Sequence, residues 1–134
     1  MTEFNTEFMN EFIFKICRRQ DRQSALDAGY FAGVGIDLTD GFIHFSSAAQ
    51  LSATAARHFA GQHDLVLLRL PVSDLPDAQA MLKWEPARNG DLFPHLYGGF
   101  ATDLVDKVWS LPLDGSYHSF PSFANFPGFP EGCD

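Results

Sequence analysis

The chain has 134 residues, enough for one hydrophobic core, and 46% of them are apolar with fourteen phenylalanines, which excludes a disordered chain. A formal charge of −8 repels phosphate backbones, and no Lys/Arg cluster offsets it, so nucleic acid is not an expected partner. No apolar run approaches the roughly 20 residues of a membrane helix, and the acidic start MTEFNTEFMNEF is not a secretory signal, so a cytoplasmic protein with no membrane partner is expected.

The segment FIFKI, residues 12–16, alternates Phe12, Phe14 and Ile16 against Ile13 and Lys15, which predicts a strand with Lys15 on the face opposite the phenylalanines. Arg18, Arg19 and Arg22 follow, interrupted by Asp21, and read as a solvated surface. DRQSALDAGY predicts a short helix closed by Gly29, and the glycine-rich FAGVGIDLTDG a loop. FIHFS, residues 42–46, predicts a second strand with Phe42, His44 and Ser46 on one face. SAAQ, residues 47–50, has the spacing of a capping box, from which a helix runs to about Ala60. Ser46 and Ser47 thus fall where a strand turns into a helix, and backbone N–H groups there are suited to an anion.

DLVLLRL, residues 64–70, predicts an apolar strand ended by Pro71, and VSDLPDAQAM a loop or irregular helical turn. LKWE, residues 82–85, predicts a short strand ending on Glu85, ARNGD a turn, and LVDKVWSL, residues 104–111, a further strand. From Pro112 onward prolines and aromatics dominate. The expected organisation is an N-terminal extension over 1–11, one domain over 12–111 and a Pro/Phe-rich tail over 112–134. Its element order predicts a mixed, mainly antiparallel α+β fold. Cys17 and Cys133 form no CxxC pair, and free thiols are expected.

Four residues carry the candidate chemistry: His44 on its strand, Glu85 after Trp84, His95 in FPHLYG, and Tyr97, which shares a face with His95 if that segment is extended. Each also has a bland reading: a core histidine bonded to a carbonyl, an exposed carboxylate, a loop histidine, a core aromatic. His58, His63 and His118 read as structural or exposed. Two histidines and a carboxylate can ligate a metal, but their spacing matches no metal motif, and none is expected.

The series FKI, DGFIHFSSAAQL, ARHFAG, LVLLRL, LKWE and FPHLYG, spanning about residues 12–111, resembles the small bacterial and plant family known as domain of unknown function 952. The resemblance implies an ADP-ribosyltransferase-like fold, two small mainly antiparallel sheets with short flanking helices around a cleft, related to the RNA 2′-phosphotransferases. FIHFS is similar to their histidine-bearing second strand, with His44 on the second histidine of that motif. Their first strand presents a His or Arg followed by Gly and Thr; here that place reads FKICRR and offers Lys15 without the glycine. The implied ligand is NAD, as a substrate, or another ADP-ribose-type nucleotide. On that reading Glu85 stabilises charge developing on a ribose, and His95 is a general acid or base or a phosphate contact. His44 contacts a ribose hydroxyl, Ser46 and Ser47 receive a phosphate, and Tyr97 stacks on a ring. A non-catalytic nucleotide-binding module, and an interaction domain using the aromatic tail, are the alternatives.

Overall fold

The structure, a computed structural model, describes residues 11–87 and 90–120, with Gln79 described through its backbone alone. Its centre is β1 (Phe12–Arg18), which pairs antiparallel with β4 (Leu65–Pro71), which in turn pairs with β8 (Lys107–Leu111). The register Ile13↔Leu70, Ile16↔Leu67 and Cys17↔Val66 gives each face its own apolar set. Ile13, Cys17, Val66, Leu68 and Leu70 enter one core with Phe31, Ile43, Phe45, Leu96 and Phe100. Phe14, Ile16, Leu65 and Leu67 enter a second with Ala48, Leu51, Ala55 and Leu111. A strand covered on both faces is apolar at nearly every position, which is why LVLLRL does not alternate.

The helix expected after β1 is α1 (Arg19–Ala28), closed by Gly29 in the left-handed conformation that a residue without Cβ adopts at least cost. The expected loop over FAGVGIDLTDG is instead partly ordered. Tyr30–Phe31 forms β2, paired with β7 (Phe100–Ala101), and Ile36–Asp40 forms a short helix, α2. Glycine density argued for a loop, but Gly33 and Gly41 lie outside α2, at φ 113° and 84°, and let the chain enter and leave it sharply. At Gly33 a Cβ would stand 3.0 Å from the Cβ of Asp37, so the close approach as well as the positive φ requires glycine.

The second three-stranded sheet has the order β3 (Ile43–His44), β6 (Leu92–Leu96), β5 (Leu82–Pro86), again antiparallel throughout. β3 is shorter than FIHFS predicts, because Ser46 leaves it to exchange two 2.8 Å backbone hydrogen bonds with Phe14 of β1. That bridge joins the two larger sheets. The SAAQ box forms as expected: Ser47 N–H donates to Gln50 Oε1 at 2.9 Å, a 3-10 turn follows, and α3 (Leu51–His58) buries Leu51 and Ala55. The irregular segment after β4 contains α4 (Ala78–Met81).

The α+β expectation holds, with every strand pairing among the described residues antiparallel. The number of sheets differs: the described residues form two three-stranded and two two-stranded sheets, where two sheets were expected. The last pair lies within the segment expected as a Pro/Phe-rich tail. Leu113–Asp114 (β9) and Tyr117–His118 (β10) form a hairpin, and the His118 ring is 2.6 Å from the Gln62 carbonyl, through Nε2. The rest of the expected tail, Cys133 included, and residues 1–10 of the expected extension lie outside the described residues. Among those described, no helix is long and apolar enough to cross a membrane.

Candidate functional site

Beyond the Phe14–Ser46 bridge the two larger sheets separate. The outer edge of β1 from Lys15 to Arg18 then borders a cleft of about 740 Å³, closed on its other sides by α2, α3 and the polar face of β6. That face follows from register. His44 lies opposite His95, and His95 opposite Lys83, while Ile43, Leu96 and Pro94 point into the core. The period of two predicted from sequence therefore sets both histidines on one side of one sheet, their ring centroids 5.4 Å apart.

His44 belongs to a buried cluster that the sequence reading missed. Its Nδ1 is 2.7 Å from Oδ1 of Asp37, a carboxylate with a side chain 1% exposed. Lys15 donates to both oxygens of Asp37, at 3.1 and 2.9 Å, and to the His44 carbonyl at 3.0 Å. The backbone N–H groups of Val34 and His44 complete the shell. Burial alone would push the Asp37 carboxyl up; the hydrogen bond from His44 and the Lys15 charge outweigh it and hold it down at about 2. On the outer side His44 Nε2 is 3.0 Å from Asp40 Oδ2. Both ring nitrogens thus face carboxylates, and Lys15, which also borders the cleft, directs its ammonium to Asp37 and the His44 carbonyl. A lone lysine inside FIFKI was the signal for a buried acid, since an ammonium in an apolar strand needs a counter-charge.

His95 sits differently. Its Nδ1 is 2.7 Å from Oε1 of Glu85, and Tyr97 donates its hydroxyl to the same oxygen at 2.7 Å. These two bonds lower the Glu85 pKa, and the carboxylate raises that of Tyr97. The Phe42 ring stacks on His95 at 4.1 Å and leans on His44 and Tyr97, which keeps the row in place. With Nδ1 donating to the carboxylate, the neutral ring carries its lone pair on Nε2, for which no partner exists among the described residues. His95 lines the cleft; Glu85 and Tyr97 stand behind it.

The serines divide similarly. Ser46 lines the cleft, buried, its hydroxyl 3.0 Å from that of Thr54. Ser47 does not line it, and its N–H donates to Gln50 Oε1, as the capping box requires. Cys17 also borders the cleft, but burial pushes its thiol up to about 11, against the opposing effect of Lys15, so it is no thiolate nucleophile at neutral pH. No group of three or more His, Cys, Asp or Glu among the described residues is arranged to hold a metal ion. Arg57 and His58 of α3 line the cleft as well. His58 reads from sequence as structural or exposed and Arg57 carries no signal, because a helix face does not reveal which strand edge it will oppose.

The geometry defines an α+β protein with a histidine-lined cleft between two small antiparallel sheets. Residues 16–108 match the family described as "Protein of unknown function (DUF952)", and the chain belongs to that family. It is similar to the protein CC0527 from Caulobacter crescentus. The crystal structure of CC0527 has 39% identity and a TM-score of 0.75, over 81% of this chain and 93% of that one. Its solution NMR structure has 38% identity and a TM-score of 0.71, over 86% and 95% of the two chains. No curated protein matches the chain.

Proposed function

We propose that the cleft binds NAD or another ADP-ribose-type nucleotide, in an ADP-ribosyltransferase-like fold as the resemblance of DGFIHFS and FPHLYG implies, and that His95 moves a proton there. The observation that carries this is His95 itself: its ring is oriented by Glu85, and its Nε2, without a partner among the described residues, belongs to a side chain that borders the cleft. A side chain held by one nitrogen and open at the other is the arrangement general acid–base chemistry uses. The cleft volume of about 740 Å³ lies in the range of small-molecule sites. Glu85, behind His95, acts here as a positioning residue rather than as the ribose-stabilising carboxylate. Tyr97, bonded to the same oxygen, supports it.

The non-catalytic binding module remains the second reading, favoured by one observation. The Lys15 ammonium and both His44 nitrogens are engaged by Asp37, Asp40 and a backbone carbonyl, which leaves fewer groups for chemistry than sequence implied.

Isothermal titration with NAD, ADP-ribose and nucleotide phosphates tests both readings at once, and absence of heat with all of them removes the nucleotide. With binding established, assay of nicotinamide release from NAD separates them. Turnover that His95→Ala abolishes and Glu85→Gln lowers with little change in KM supports the enzyme; binding without turnover supports the module.

A further inference from the structure

The cations of the cleft are not equivalent. Lys15 is paired with Asp37 and Arg18 with Asp21. Elsewhere Arg19 is paired with Asp64 and Arg69 with Asp106. Arg57 also lines the cleft, is exposed, and has no hydrogen bond or ion pair among the described residues. Of the arginines and lysines described along the cleft, it alone lacks a carboxylate. Two other acids border the cleft, Asp21, which holds Arg18, and Asp91, which has an interaction of its own.

His58 follows Arg57 on α3 and lines the same cleft, its pKa lowered by burial, by the Arg57 charge and by His44. The last two effects place His58 within electrostatic range of Arg57 and of His44. Three of the five histidines of the chain, His44, His58 and His95, therefore border one space with a guanidinium that has no carboxylate among the described residues, in a protein of net charge −8. A guanidinium offers a planar fork of donors that matches phosphate oxygens two at a time, and an imidazole beside it adds a donor.

We infer that Arg57, with His58 beside it, forms a phosphate subsite in the cleft, and that the ligand carries a diphosphate group, as a nucleoside diphosphate does. This rests on the nucleotide reading above and specifies which end of the ligand α3 holds. Across the cleft, His95 faces the part of the ligand that reacts.

The probes are inorganic pyrophosphate, ADP, ADP-ribose, NAD and adenosine, titrated calorimetrically against the wild type, Arg57→Gln, Arg57→Lys and, as a control for net charge, Lys107→Gln. The expected result is ADP binding well above adenosine, weakened about tenfold or more by Arg57→Gln. Arg57→Lys should lose less, and Lys107→Gln should match the wild type. Wild-type ADP affinity should fall with added salt, with a shallower slope in Arg57→Gln. Because Arg57 is exposed, its substitutions should leave the melting temperature unchanged, so a loss of binding reports on the site.

Equal affinity of ADP for the wild type and Arg57→Gln, adenosine binding as tightly as ADP, or failure of both pyrophosphate and ADP to bind would each overturn the subsite. If NAD and ADP-ribose bind the wild type and Arg57→Gln alike, the subsite is wrong and the nucleotide reading stands. If neither binds while pyrophosphate does so through Arg57, the nucleotide reading falls and the subsite remains.

Discussion

Two clusters in this protein are built from the same parts, a carboxylate that holds a histidine by its Nδ1 at 2.7 Å, and they stand side by side on one sheet. Around Asp37 every polar group is matched: an ammonium, two backbone N–H groups and an imidazole surround a carboxylate with almost no exposure. Around Glu85 the carboxylate is a third exposed, and its histidine keeps one nitrogen open. The difference teaches that a carboxylate–histidine pair is not in itself a site. Burial of the Asp37 carboxylate forces its charge to be fully matched, whereas Glu85, partly solvated, holds its histidine through one nitrogen and asks for no further counter-charge.

Substitution at Asp37 should separate the two clusters most sharply. Asp37→Ala leaves the buried Lys15 ammonium without its counter-charge and should lower stability by about 3–5 kcal/mol, read from urea unfolding. A loss below about 1 kcal/mol would mean that the cluster is not the anchor its burial implies.

Acid comes next in size. The Asp37 carboxyl has its ordinary value of 3.8 when unfolded and about 2 when folded, so the folded state favours the carboxylate. Its contribution is fully present above pH 4 or so and disappears as pH falls through about 2, a change on the order of 2 kcal/mol. Urea midpoints measured in steps from pH 5 to pH 2 should show this drop in the wild type and lack it in Asp37→Asn.

Glu85→Gln should act in the opposite manner, with a urea midpoint close to that of the wild type and a clear change in one phenol. Tyr97 is held above its ordinary value chiefly by its bond to the Glu85 carboxylate, so in the variant its ultraviolet titration should move down toward that of a free tyrosine. An unmoved titration would show that the Glu85–His95–Tyr97 bonds do not persist in solution.

The smallest effect is expected at the rim. Asp40→Asn removes a carboxylate that is a third exposed and should change stability by less than about 1 kcal/mol while opening His44 Nε2. If it proves as damaging as Asp37→Ala, the gradient from buried anchor to exposed rim is wrong.

The legible part of the fold was whatever depends on neighbours in sequence. Alternation in FIFKI and FIHFS, the capping box at Ser47 and Gln50, and the stop at Gly29 all act over a few residues, and each appears in the structure, the FIHFS strand shortened to Ile43–His44. The pattern of two set His44 on a face with Phe42 and Ser46, and His95 on a face with Tyr97; that the two histidines stand on one side of the sheet follows from the β3–β6 register, which neither segment records. α2 was not legible, because five residues among glycines carry too little pattern to distinguish a turn of helix from a loop.

By itself the sequence determined which residues could be buried, which segments extend or coil, and which titratable side chains share a face with one another. Only the tertiary structure decided their roles. Asp37 lies 22 residues from Lys15, and Arg57 reaches the cleft from a helix whose own pattern records only its buried side. Partnership across such separations is fixed by sheet register and by the split that follows the Phe14–Ser46 bridge. The energy that makes one carboxylate an anchor and its neighbour part of a site comes from the water each has lost, a property of the packed chain that a local pattern does not record.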